Sequence, residues 1–139
     1  NRSARCPFRQ ALSWHVKRSL DVEAMQVAAQ HLVGQHDFTS FRAAKCMAAT
    51  PIRTVNAVEV RTVQGGEVAL DFTGTGFLRH QVRIMTGTLV DVGLGTRPAD
   101  SLPDVLTACD RETAGRTAPG HGLTLVWVQM GEGPFVPKR

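Results

Sequence analysis

The most chemically suggestive stretch is Arg79-His80-Gln81-Val82-Arg83. It opens a run in which Val82, Met85, Leu89 and Val92 recur at three, four and three residues, the spacing of a helix. Two arginines and a histidine therefore gather at a helix N-terminus, where the helix dipole is already positive. A local rule broken without local gain marks a functional position. Arginine forks and the dipole together would attract an anion, either a phosphate or a carboxylate. Gly74 and Gly76, just upstream, would let a ligand backbone come close. Solvated charges on a surface turn, or half of a structural ion pair, would give the same pattern.

A second stretch, His36-Asp37-Phe38-Thr39-Ser40-Phe41-Arg42, sets two phenylalanines three residues apart. Arg42, Lys45 and Arg53 follow with no acid between them. Aromatic rings interleaved with basic groups suit looped RNA. Core phenylalanines beside solvated charge fit equally. Cys46 lies in this basic stretch, where a thiol pKa can fall, although a packed or idle thiol is the plainer reading. His31, His36, His80 and His121 have no metal-ligand spacing, so no metal site is expected. Gly74-Thr75-Gly76 lacks the third glycine of a dinucleotide fingerprint. No G-x-S-x-G nucleophile motif occurs, and the chain has no tyrosine.

These residues need elements to position them. Leu12, Trp14 and Val16 alternate with Ser13, His15 and Lys17, which predicts a strand over 11–17. Asp21 to Gly34 reads as a helix: Asp21 as N-cap, a stripe of Val22, Met25, Ala29, Leu32 and Val33, and Gly34 as the stop. Residues 35–53 show no clean period and read as a long loop, either functional or mis-assigned. Thr54 to Val63 and Val68 to Phe72 alternate around Gly65-Gly66, predicting a hairpin with a two-residue turn. A helix follows over 78–92. A shorter helix spans 101–110, with Ser101 and Asp104 in capping-box spacing and Leu102, Val105, Leu106 and Cys109 buried. Leu123 to Val128, nearly all apolar, reads as a central strand. The order is strand, helix, two strands, two helices, strand. It predicts an α+β, ferredoxin-like βαββαβ fold: a four-stranded antiparallel sheet with helices packed on one face.

The chain has 139 residues, enough for one domain with its own core. Residues 1–130 form the expected domain, and the Gly/Pro-rich segment 131–139 a loose tail. The apolar share of 42% and charged share of 20% are those of a globular protein, not of a disordered chain. No apolar run approaches the roughly 20 residues of a membrane helix, and the first residues do not read as a signal peptide. Three scattered cysteines, Cys6, Cys46 and Cys109, argue against a secreted disulfide scaffold and for a reducing cytoplasm. The net charge is +4, and arginine supplies 13 of the 16 basic residues. That balance favours a nucleic-acid partner without demanding one.

Several motifs together resemble the C-terminal half of bacterial tRNA pseudouridine synthases of the TruA family. They are Leu20-Asp21 with Met25; Gly34-Gln35-His36-Asp37-Phe38-Thr39-Ser40-Phe41-Arg42; Pro51-Ile52-Arg53-Thr54; Gly76-Phe77-Leu78-Arg79-His80-Gln81-Val82-Arg83 with Gly87; and Gly120-His121-Gly122-Leu123. The resemblance runs from about Pro7 to Val128. It implies an isomerase that needs no cofactor and acts on a uridine in the tRNA anticodon stem-loop. In that family an aspartate attacks the nucleoside, a basic residue pairs with the aspartate, a tyrosine stacks on the base and an aliphatic residue packs beside it. By motif, Arg83 matches the basic partner and Leu123 the aliphatic residue. Phe77, Arg42, Lys45, Arg53, Arg79 and His80 become candidate substrate contacts.

The family's aspartate lies in an upstream motif reading like G-R-T-D-A-G-V-H, and its tyrosine also lies upstream. This sequence contains neither. The resemblance therefore implies half of an active site, inactive alone, whose partners are tRNA and the N-terminal half of the same enzyme. It further implies a homodimeric parent. Two other readings remain open. A stand-alone RNA-binding module would display aromatics on exposed central strands, whereas Phe72 alternates with an apolar set. A metabolite-binding regulatory domain would show no salt-dependent affinity for tRNA.

Overall fold

The computed structural model describes residues 11–130. The first ten residues and the expected tail over 131–139 lie outside the described residues. The architecture is α+β, of the ferredoxin-like class, with an antiparallel sheet and three α-helices. The sheet has three strands in the order β1 (Gly34–Asp37), β2 (Ile52–Val63) and β3 (Glu67–Gly74). The helices are α1 (Val22–Gln30), α2 (Gln81–Gly93) and α3 (Leu102–Ala108).

The hairpin of β2 and β3 forms as the alternation predicts, with one difference. Val63 pairs with Glu67, so the loop has three residues, Gln64, Gly65 and Gly66. Both glycines take positive φ, 83° and 74°, which side chains resist. Val55 and Val58 are three residues apart yet both are buried. A shift of register between Val55 and Ala57 supplies the extra residue that turns both inward.

The loop expected over 35–53 contains β1. Gly34 does not stop a helix; it opens this strand at φ 113°. Helix α1 ends earlier, at Gln30, with Asp21 capping it by accepting a hydrogen bond from the Ala24 N–H at 2.9 Å. Strand β1 is too short to cover the edge of β2, and α1 completes the cover. Gln26 Oε1 accepts from the Val60 N–H at 2.6 Å, and Gln30 Nε2 donates to the Val58 carbonyl at 3.3 Å. A sheet edge is thus satisfied by helix side chains.

The strands expected over 11–17 and 123–128 do not form among the described residues, so the sheet there has three strands rather than four. Both segments line one cavity together with β3. Val16 still reaches the core, while residues 123–130 are exposed. The third helix is preceded by a 3-10 turn, and Ser101 donates to the Pro98 carbonyl instead of capping. Cys109, expected on the buried side, is exposed at the end of α3, in a left-handed conformation with φ 47°.

The core lies between the sheet and the helices. Phe38 and Phe41 are fully buried in it, their rings edge-on with centroids 6.1 Å apart. Met25, Ile84, Met85, Leu89 and Leu102 complete its centre. Ser40 is buried against the C-terminal part of α3: its hydroxyl donates to the Val105 carbonyl at 2.6 Å and accepts from the Asp110 N–H at 2.9 Å. Among the described residues no helix is long and apolar enough to cross a membrane.

Candidate functional site

Arg83 sits in the first turn of α2, as its sequence position requires. The segment 115–118 runs against this turn at backbone contact. Gly87 makes that approach possible: a Cβ there would strike the Arg116 carbonyl. Gly115 is equally confined, since its Cβ would fall 2.8 Å from the Thr88 Cα. The buried Thr88 hydroxyl donates to the Ile84 carbonyl at 2.8 Å and accepts from the Gly115 N–H at 2.9 Å. The Ala118 N–H then donates to the Arg83 carbonyl at 3.0 Å, and Arg83 Nε donates to the Ala118 carbonyl at 2.8 Å.

The guanidinium is therefore held on one side by a main-chain carbonyl. Gly120 lies beside it, and a Cβ on that glycine would sit 3.5 Å from the Arg83 Cζ. Among the described residues no carboxylate pairs with Arg83. A 3-10 turn over Gly120–Gly122 carries the chain on to Leu123, whose N–H donates to the Gly120 carbonyl at 3.1 Å. His121 Nε2 lies 3.1 Å from the Ser13 carbonyl and ties this turn to the segment at 13–16.

Arg83 and Leu123 line one cavity of about 360 Å³, with Trp14, Phe72, Val82 and Ala118 among its walls. The Arg116 guanidinium stacks over the Trp14 ring, 4.6 Å from its centroid. The cavity walls are mixed, with Glu67 and Asp71 lining it as well as Arg83 and the apolar residues, a setting that suits a partly polar ligand.

The other six candidates do not line this cavity. Arg79 and His80 precede α2, and the Arg79 carbonyl accepts from the Ala43 N–H at 3.1 Å, which brings the 42–48 loop alongside. Lys45 is exposed on that loop. Arg42 is occupied: its Nη2 donates to the carbonyls of Cys46 at 2.9 Å and Ala48 at 3.1 Å and so shapes the loop. Arg53 opens β2, and its Nη1 donates to the Thr50 and Ile52 carbonyls. Phe77 is 39% exposed, with its ring against Gly74. These residues form a basic rim at one end of the sheet, beside the Arg83 turn.

His80 adopts a left-handed conformation, φ 62°, at the N-cap of α2. Burial pushes its imidazole pKa down, and the charges of Arg83 and Arg79 push the same way. Asp37 has a structural task. Its Oδ1 accepts from the Thr39 hydroxyl at 2.6 Å and from the Thr39 N–H at 2.9 Å, which keeps the carboxyl below its ordinary range. The Cys46 thiol is lowered by the Ala48 and Arg79 backbones and by Arg42. Among the described residues no cluster of His, Cys, Asp or Glu could hold a metal ion.

Sequence reasoning overlooked Thr88, Gly115, Ala118 and Trp14 as parts of this site. Their contacts are mostly through main chain or single hydroxyls, which leave no periodic trace. The available signal was the pair of small residues Gly87 and Gly115, the signature of two backbones in contact.

A family profile described as tRNA pseudouridine synthase matches residues 28–129. The chain is 46% identical to a tRNA pseudouridine synthase A of Myxococcus xanthus over 134 residues, which are 96% of this chain and 51% of the relative. It is 50% identical to that of Caulobacter vibrioides over 119 residues, 86% of this chain and 48% of the relative. With the protein of the same name from Gluconobacter oxydans the identity is 46% over 135 residues, 97% of this chain and 49% of the relative. The chain thus spans about half the length of these curated relatives. The profile covers most of the sequence, including Arg83, Leu123 and the basic rim, and the chain belongs to the tRNA pseudouridine synthase family.

Proposed function

We propose that this chain is the half of a tRNA pseudouridine synthase that supplies the arginine and aliphatic side of the cleft. The substrate is a uridine in the anticodon stem-loop. The bond from ribose C1′ to N1 breaks, the uracil turns, and a bond from C1′ to C5 forms. The C5 proton leaves to water and N1 gains one. The nucleophilic aspartate comes from an N-terminal half that this sequence does not contain. Arg83 pairs with that aspartate, and Leu123 packs beside the base. Lys45, Arg53, Arg79, His80 and Phe77 lie on the rim where the RNA runs. Arg42 contributes by shaping the loop that carries Lys45. The complete enzyme works without a cofactor, as a cytoplasmic homodimer.

The observation that carries this reading is the shared cavity of Arg83 and Leu123, with Arg83 fixed through Nε while no carboxylate among the described residues meets its guanidinium. An arginine held so, at a helix N-terminus, is arranged for an anion brought from outside.

The test is tritium release from tRNA labelled at uridine C5. This chain alone should release none. A complete protein carrying the upstream half should release it, and Arg83→Ala should abolish most of that release. Release by the 139-residue chain alone would place the nucleophile within it and overturn the assignment.

A further inference from the structure

We propose that Thr88 is a positioning residue for the Arg83 guanidinium, acting through the segment 115–118. The proposal rests on the role of Arg83 as the partner of the nucleophilic aspartate. Thr88 is fully buried one turn beyond Arg83, and its hydroxyl does two things at once. It donates to the Ile84 carbonyl, as threonines in helices often do, and this fixes the direction of its lone pairs. It then accepts from the Gly115 N–H, a donor buried away from water.

From that anchor the chain reaches Ala118 in three residues. At Ala118 two hydrogen bonds close on Arg83, one to its main chain and one from its Nε. Gly87 lets the segment lie flat on the helix between the two anchors. A guanidinium on a long flexible stem has many orientations, and a single main-chain acceptor selects among them only if that acceptor is itself fixed. Thr88 and the Ala118 N–H fix it, together with Arg111, which donates to the Gly115 carbonyl at 2.9 Å and to the Thr117 hydroxyl at 3.2 Å. Without the hydroxyl, the Gly115 N–H is buried and unpaired, which favours opening of the segment.

Thr88→Val keeps the shape and removes the acceptor, while Thr88→Ser keeps the acceptor. Two readouts decide the matter. In this chain, hydrogen exchange of the Arg83 Nε–H, followed by NMR, should speed up at least about tenfold in Thr88→Val and return in Thr88→Ser. In the complete enzyme, Thr88→Val should lower kcat for tritium release by roughly 10- to 100-fold with KM for tRNA unchanged, and Thr88→Ser should restore it. Combined with Arg83→Lys, Thr88→Val should cost little more than Arg83→Lys alone, because both act on one group.

Unchanged exchange overturns the proposal. So does full kcat in Thr88→Val when Arg83→Lys is slow. Full kcat in Arg83→Lys instead overturns the role of Arg83, and exchange then still decides whether Thr88 orients it. If Thr88→Val does not fold, Thr88→Ala removes the same acceptor and is read in the same way.

Discussion

Arg83 and Ala118 lie 35 residues apart and exchange two hydrogen bonds. The main chain of one binds the main chain of the other, and the side chain of Arg83 returns to the same residue. A charged side chain is thereby turned into part of the framework at the wall of a cavity.

Arg83→Ala should therefore weaken the fold as well as the chemistry. Loss of the bond to the Ala118 carbonyl should cost about 1–2 kcal/mol, measured by urea unfolding of this chain. Wild-type stability would mean that the bond contributes nothing in solution.

Gly87→Ala should be more damaging than its size suggests. The added methyl meets main chain at Arg116, which cannot turn aside as a side chain could. A loss of about 1–3 kcal/mol is expected from overpacking, with the Trp14 environment altered through Arg116. Calorimetry and fluorescence would read both. An unaltered melting temperature would show that the segment sits further from α2.

The histidine at the N-cap of α2 gives a pH dependence of definite sign. Its folded pKa lies below the ordinary value of 6.5, so the unfolded chain binds its proton more readily. Stability should fall as pH drops below about 6.5 and level off beneath the folded pKa. His80→Asn tolerates the left-handed backbone and does not titrate. Its melting temperature should fall less than that of the wild type between pH 7.5 and pH 5. Equal slopes would remove His80 as the cause.

Arg42 and Lys45 should separate by assay. Lys45→Ala should weaken tRNA binding and reduce the salt slope by about one, as loss of one phosphate contact does. Arg42→Ala should instead release the carbonyls of Cys46 and Ala48 and loosen the 43–48 loop, seen as faster amide exchange there. A salt slope changed by Arg42→Ala at constant loop protection would return Arg42 to the phosphate contacts.

Periodic features were legible in the sequence, and features made by distant contact were not. The β2–β3 hairpin and α2 follow from alternation and from the three-four-three spacing of Val82, Met85, Leu89 and Val92. Strand β1 was missed because four residues, Gly-Gln-His-Asp, carry no alternation; its pairing with β2 alone makes it a strand. The stretches at 11–17 and 123–128 have strand composition, yet neither is a strand among the described residues. Phe38 and Phe41 could have been a stacking platform or core, and their complete burial settles them as core. Arg83 was conspicuous as a cation in the wrong place. Its support from Thr88 and Ala118 depends on a segment that returns from some 30 residues away.

That return has a consequence for the order of assembly. Strands β1, β2 and β3 are successive in the chain and pair as neighbours, so the sheet grows from short closures. Docking the 115–118 segment on α2 closes a 35-residue loop, at an entropic cost of about 3 kcal/mol from chain length alone. The cleft should then consolidate after the β2–β3 hairpin, whose closure is far shorter. Stopped-flow fluorescence of Trp14, which lies under Arg116, read in a Trp127→Phe variant, should lag the circular dichroism of the helices. Coincident phases would mean that the cleft and the scaffold form together.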